Sequence, residues 1–180
     1  MDVTLLYFRQ ELIDELLKRG HEVYVSFPES ESKKIFEEKG CKFINVEMER
    51  HGLNPFKDIK VIKKYIKIIK EIKPDFVLTY TIKPNVYGGL ACRKTKTKQI
   101  ANITGLGTAL ENKGMLQKIA IILHRIGLKK VHRCFAQNQE NLDFLKKHSI
   151  AKGKLKLIPG SGVNLEKFKP LEYPKEDADI

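Results

Sequence analysis

Between residues 4 and 158 the chain switches repeatedly between two hydrophobic periods, and that alternation constrains its fold more than any other feature. Residues 4–19 repeat with helical spacing, at Leu5, Phe8, Leu12 and Leu16 and at Leu6, Ile13 and Leu17, and Gly20 stands where a left-handed residue would stop the helix. Residues 21–27 alternate and are rich in β-formers. A short helix follows, opened by Pro28 and Ser30, carried through Ile35 and Phe36 and ended at Gly40, and residues 42–46 make the next strand. After a polar loop at 47–53, Asn54 and Pro55 offer a cap with proline at the first helical position. The helix they open carries Ile59, Val61, Ile62, Tyr65, Ile66, Ile68, Ile69 and Ile72 around about half its circumference, with Lys57, Lys60, Lys63, Lys64, Lys67 and Lys70 on the rest. Pro74 ends it, and residues 75–80 read as a strand that should be largely buried. A helix at 84–92, small enough at Gly88, Gly89 and Ala91 to approach a sheet closely, leads to a strand at 99–103. A helix near 115–130, apolar on nearly every side, then a strand at 133–136, a helix at 139–148 and a strand at 154–158 complete the series.

Helix and strand in strict alternation predict an α/β architecture, a Rossmann-like, doubly wound parallel sheet joined by right-handed crossovers. Such a fold ordinarily begins with a strand. This sequence opens on a helix, so a first strand and its loop are expected to be missing ahead of Met1. With 180 residues, 42% hydrophobic and 31% charged, the chain suits one domain with a sizeable core, assigned to residues 1–158. Residues 159–180 form an exit: two glycines turn the chain after Pro159, and the mostly charged segment after Pro170 is expected to be a poorly ordered stub of linker.

The net charge of +12 favours an anionic partner, although a lysine- and isoleucine-rich genome would produce the same excess. The lysine face of residues 57–70 reads first as a solvated exterior and second as a contact for anionic lipid headgroups. The helix near 115–130, flanked by Lys113, Lys118, His124, Arg125, Lys129 and Lys130, reads first as a packed core element and second as an interfacial one. Few aromatic residues interleave with the lysines, which argues against nucleic acid. Cys41, Cys92 and Cys134 are odd in number, without a CxxC or a nearby histidine pair, so neither a disulfide framework nor a zinc site is indicated and a reducing cytoplasm fits. No signal-peptide pattern is read at the start, and the apolar runs are too short to span a bilayer.

Ligands of open parallel sheets sit beyond the carboxyl ends of the strands, here the loops after Phe27, Tyr80, Ile103, Ala136 and Ile158. Gly105-Leu106-Gly107 lacks the third glycine and the acidic residue of a dinucleotide fingerprint, and a Walker A loop is absent. Gly160-Ser161-Gly162 precedes no helix that could present a nucleophilic serine. The histidines are scattered: His21 reads as structural, and His51, beside Arg50, is the one retained as a candidate ligand over His124, His132 and His148. Neither a metal set nor a cofactor fingerprint is read.

Four segments in order carry a family likeness: Phe8-Arg9 with Leu12-Ile13, Leu16 and residues 19–25; residues 73–79; Ile103-Thr104-Gly105-Leu106-Gly107; and residues 159–170. Together they resemble the N-terminal domain of a GT-B glycosyltransferase of family 4, of the capsular and O-antigen type. The resemblance implies a two-domain enzyme, peripheral to the inner face of the cytoplasmic membrane. Its acceptor-binding N-terminal half works with a donor-binding C-terminal half. It moves a sugar from a nucleotide sugar to a lipid-linked or polysaccharide acceptor in cell-surface glycan assembly, without a metal and with retention. It makes Gly160, Gly162, Val163, Asn164 and Phe168 the crossing between the halves, and places the donor half beyond Ile180, so that this chain alone is expected to be inactive.

Many relatives carry a histidine where this sequence has Thr104-Gly105, so no catalytic residue is transferred. What the resemblance does transfer is an acceptor surface: Arg9; Thr81, Lys83 and Asn85; and Thr104, Gly105 and Leu106. Arg9 and Lys83 would suit a diphosphate through charge-assisted hydrogen bonds. Two rivals stay open, a GT-B nucleotide-sugar epimerase half and a basic module binding a membrane or nucleic acid. A pair of glutamates spaced E-x7-E downstream would separate the transferase from the epimerase.

Overall fold

The structure, a computed structural model, describes residues 2–48, 55–107, 114–166 and 168–169. The Asn54 cap, His51 and the segment 170–180 lie outside the described residues. The N-terminal helical repeat forms two helices where one was expected, α1 (Asp2–Phe8) and α2 (Gln10–Lys18). The backbone leaves helical geometry at Arg9 (φ −137°, ψ 4°), whose side chain is buried, although the Ile13 N–H still donates to the Arg9 carbonyl at 3.0 Å. Gly20 ends α2 as expected: at φ +82° it lets its own N–H reach the Leu17 carbonyl and the His21 N–H reach that of Leu16.

Next come β1 (Tyr24–Phe27), α3 (Ser32–Glu38) and β2 (Lys42–Asn45), then α4 (Pro55–Ile72), β3 (Phe76–Tyr80) and α5 (Ile82–Thr95). The rest are β4 (Lys98–Ile103), α6 (Met115–Gly127), β5 (Arg133–Ala136), α7 (Gln139–Lys147) and β6 (Leu155–Leu157). Every strand pairing is parallel, so the α/β class holds. The strands nevertheless form two sheets and not one. β1 pairs with β2, from Tyr24 opposite Lys42 to Phe27 opposite Asn45, and β3-β4-β5-β6 lie in sequence order in the other.

Helices pack on each sheet. α6 and α7 pack Ala120, Ile121, Leu128, Leu142 and Leu145 on Ala101, Ile103, Cys134 and Ala136 of β4 and β5. On the same face, α5 meets Thr79 and α4 joins α5 through Ile69, Ala91 and Cys92. α2 and α3 close the smaller sheet with Ile13, Phe36 and Cys41 on Val25 and Phe27. The small residues of α5 act as expected against the sheet, where a Cβ on Gly88 would stand 2.8 Å from Thr79 Cγ2. They also admit a second helix: a Cβ on Gly89 would stand 2.3 Å from the Gly127 carbonyl oxygen of α6.

Two burial expectations are corrected. β3 is not largely buried; Phe76 and Leu78 are 43% and 39% exposed, because β3 lies at the rim of its sheet, with no strand on its outer side among the described residues. Nor is α6 core on every side. Ala120, Ile121, His124 and Gly127 are buried, but Met115, Leu116, Ile119, Ile122 and Ile126 form an exposed stripe at helical spacing. His124 therefore faces the core and is not part of the basic flank. The lysines of α4 point outward, as expected of its polar face.

Candidate functional site at the carboxyl ends of the strands

Arg9 sits where α1 gives way to α2, and its guanidinium lies over the Tyr80 ring, 4.6 Å from the centroid, at the end of β3. Only 6% of the residue is exposed. Nη1 donates to the Phe8 carbonyl at 2.6 Å, while Nε and Nη2 are buried without a hydrogen-bond partner. A buried cation with unsatisfied donors is costly to keep, so the site is chemically prepared for an acceptor group, above all an anionic one. Burial pushes the Tyr80 hydroxyl above its usual range, with the Arg9 charge and a side-chain contact from Arg9, too poorly aligned to satisfy its buried nitrogens, pulling the other way. The phenol is thus neutral beside the guanidinium.

Thr81 follows at φ 65°, ψ 166°, a left-handed geometry that turns the chain from β3 into α5. Lys83, the second residue of α5, is turned inward: its Nζ stands 3.4 Å from Asp58 Oδ1 of α4, with the two side chains 14% and 15% exposed. Asp58 also takes a hydrogen bond from Tyr87, whose hydroxyl is raised by burial first and by Asp58 second. Asn85 is fully buried, and its Nδ2 donates to the Asn102 carbonyl at 3.0 Å, tying α5 to β4. Gln99 completes the network, donating to Thr79 Oγ1 and to the Asn85 carbonyl, both at 2.9 Å. Lys83 and Asn85 therefore brace the site from below.

The loop after β4 comes to the same edge. Thr104 and Gly105 are exposed, Leu106 is anchored in the core, and a Cβ on Gly107 would meet Ile82 Cδ1 at 2.9 Å. The exit segment arrives from the other side. Gly160 and Gly162 both take φ 72°, Gln137 Nε2 donates to Ser161 Oγ at 2.8 Å, and Asn164 Nδ2 approaches Glu11 Oε1 of α2 at 3.4 Å. Phe168 N–H donates to the Asn164 carbonyl at 2.9 Å. Val163, Leu165 and Phe168 stay exposed, an apolar rim over this edge.

The structure thus gathers Arg9, Thr81, Thr104, Gly105 and the exit segment at one edge, and turns Lys83, Asn85 and Leu106 into its support. His21 lies at the opposite end of β1. Sequence reasoning missed Tyr80, Glu11, Asp58 and Gln137. Tyr80 and Gln137 had a signal, since each ends or follows a strand; Glu11 and Asp58 had none, because their partners are distant in sequence. Cys41, Cys92 and Cys134 are buried thiols, the last two pushed up to about 12 by burial. Among the described residues no three His, Cys, Asp or Glu side chains converge as a metal site, and no helix is long and apolar enough to cross a membrane.

The family described as “Glycosyl transferase 4-like” matches residues 3–138. The N,N'-diacetylbacillosaminyl-diphospho-undecaprenol alpha-1,3-N-acetylgalactosaminyltransferase of Campylobacter jejuni subsp. jejuni is 28% identical over 182 residues, 98% of this chain and 48% of that protein. An uncharacterized glycosyltransferase of Methanocaldococcus jannaschii is 29% identical over 144 residues, 76% of this chain and 36% of its own length. A solved glycosyltransferase from Rickettsia africae superposes with a TM-score of 0.65 at 22% identity, covering 92% of this chain and 41% of that one. The chain spans less than half the length of each.

Proposed function

The chain belongs to the glycosyl transferase 4-like family, and from that premise we propose that it is the acceptor-binding half of an enzyme that moves a sugar from a nucleotide sugar to a lipid-linked diphosphate acceptor. The observation that carries the reading is Arg9, a buried guanidinium with two unpartnered nitrogens at the carboxyl edge of the strands. Such a planar fork suits an anion that presents two oxygens side by side, as a phosphate does. The name of the Campylobacter relative describes an acceptor of this chemistry, a sugar on diphospho-undecaprenol.

In this reading Arg9 holds the diphosphate, Thr81 and the exposed backbone of Thr104 and Gly105 border the acceptor sugar, and the Lys83–Asp58 pair and Asn85 keep α5 in register beneath them. The exit segment, turned by Gly160 and Gly162, is the crossing toward the donor-binding part, with Val163, Asn164 and Phe168 along its course. Retention of configuration, independence from metal and a role in cell-surface glycan assembly rest on the resemblance alone. The exposed apolar stripe of α6, flanked by Lys118, Arg125, Lys129 and Lys130, supports peripheral seating on an anionic membrane, where the lipid-linked acceptor resides.

Titration of the chain with farnesyl diphosphate, followed by calorimetry, tests the assignment. Charge-assisted hydrogen bonds contribute about 1.5–3 kcal/mol, so Arg9→Gln should weaken binding by roughly tenfold or more, with Arg9→Lys intermediate. Lys83→Met, whose charge is already taken by Asp58, should change affinity less than about threefold while lowering stability. Unchanged binding by a folded Arg9→Gln variant, or equally tight binding of farnesol, would remove Arg9 from the acceptor site.

A further inference from the structure

The first turn of α5 leaves its hydrogen-bonding groups unpaired. Thr81 caps the helix, and its carbonyl accepts from the Asn85 N–H at 3.1 Å. A capping threonine ordinarily also accepts, with its hydroxyl, from the N–H of the second or third helical residue. Here the third is Pro84, which has no N–H, and the Thr81 hydroxyl makes no capping bond at all. Ile82 and Lys83 open a helix of 14 residues, so neither N–H has a carbonyl four residues back within it, and no acceptor among the described residues takes them. Free N–H groups at that end of a helix act as about half a positive charge and receive anions.

The backbone singles out the same turn. At φ 65° and ψ 166° Thr81 occupies a region all but reserved for glycine, where a β-branched side chain is least at ease. Glycine would make the turn without strain; what threonine adds is a hydroxyl. Tyr80, the residue before it, lies beneath the Arg9 guanidinium, and Arg9, Tyr80, Thr81 and Pro84 line one cavity. The buried, unpartnered Nε and Nη2 of Arg9 therefore face the same space as the opening of α5. The loop that carries Thr104 and Gly105 reaches the turn as well, since a Cβ on Gly107 would meet Ile82 Cδ1 at 2.9 Å.

Charge decides what the turn receives. A diphosphate that joins a lipid to a sugar bears one negative charge on each phosphate. Arg9 can answer one of them, and the Lys83 ammonium is committed to Asp58, 3.4 Å away. The other phosphate is left to the helix. Resting on the reading of this edge as a diphosphate acceptor site, we infer that the first turn of α5 holds the sugar-side phosphate, with the N–H groups of Ile82 and Lys83 and the Thr81 hydroxyl donating to it, while Arg9 holds the lipid-side phosphate. Thr81 then borders the sugar through the phosphate that carries it.

Calorimetry of the 180-residue chain with farnesyl diphosphate and farnesyl monophosphate separates the two phosphates. The native chain should prefer the diphosphate by about tenfold or more. Thr81→Gly should cut that preference to about threefold or less and leave monophosphate affinity in place. It should do so without lowering the urea midpoint, because the strain relieved offsets the added freedom of the unfolded chain. Thr81→Ser, which keeps the hydroxyl, should keep the preference. Ile82→Pro removes one N–H at the first helical position, where proline is tolerated, and should reduce the preference with the hydroxyl intact. Arg9→Gln should weaken both ligands. The inference is overturned if folded Thr81→Gly and Ile82→Pro retain the native preference, even where Arg9→Gln weakens both ligands and so upholds the acceptor site itself. Should a folded Arg9→Gln bind both ligands as the native chain does, the acceptor site and this inference fall together.

Discussion

His124 lies in the last turn of α6 with 2% of its surface exposed, and burial governs its titration. Its Nδ1 stands 2.7 Å from the Ala120 carbonyl, which can only accept, so the neutral ring carries its proton there. Burial holds the imidazole below its ordinary value of 6.5, and the Ala120 bond offsets this only in part. The unfolded ring therefore binds a proton at a pH where the folded one refuses it, and the stability tied to His124 is full above about 6.5 and lost as pH falls toward the folded value. The melting temperature should drop more steeply between pH 7 and 5 in the native chain than in His124→Gln. Parallel pH profiles would mean that the ring protonates equally in both states. The sequence places His124 among basic neighbours and so suggests a surface role. Which turn of an all-apolar helix faces inward is decided by what packs on it, and that packing has no local signal. Lys83 and Asn85 follow the same logic. Both stand in the right loop region by resemblance, but a partner on α4 and a carbonyl on β4 turn them inward.

Helices and strands were legible because each needs only a local period and a punctuating residue; Gly20 and Pro74 end their helices where expected. The Arg9 break and the split into two sheets were not legible, since one depends on a cation seeking the Tyr80 ring and the other on which strand edges meet. The tight crossing of α5 and α6 was half legible. The small residues announced close packing, but toward the sheet alone. At Gly89 the obstacle to a side chain is backbone, the Gly127 carbonyl oxygen and carbon at 2.3 and 2.9 Å, which cannot move without shifting α6. Alanine at this position gains about 1 kcal/mol of helix propensity and meets an overpacking cost of about 1–3 kcal/mol or more. Gly89→Ala should lower the unfolding free energy read from urea titration by about 1–2 kcal/mol. Gly105→Ala, with open space around its Cβ, should leave it unchanged within about 0.5 kcal/mol. A Gly89→Ala variant as stable as the native chain would show that the helices do not cross this closely.

For the molecule as a whole, the net charge of +12 matters through where it falls. α4 packs on α5 and α5 on α6, all against one face of the larger sheet, so the outward lysines of α4 and the bare stripe of α6 belong to the same side. A solvated lysine face alone would bind anionic surfaces only by charge, at about 1 kcal/mol per basic residue near the bilayer, and would be released as added salt shortens the screening length to about 3 Å at 1 M. An apolar stripe that inserts adds a part that salt does not remove. The two contributions can be separated by co-sedimentation with vesicles of phosphatidylcholine containing phosphatidylglycerol. The native chain should pellet with these and not with pure phosphatidylcholine, and a fraction should stay bound in high salt. Ile122→Asp, at a position already half exposed, should fold normally yet lose the salt-resistant fraction, because it places a charge in the middle of the stripe. Charge reversal at Lys63 and Lys67 should instead weaken binding at low salt and leave the salt-resistant fraction in place. Equal pelleting with neutral vesicles, or Ile122→Asp behaving as the native chain, would return α6 to an ordinary solvent-facing helix and the positive charge to composition alone.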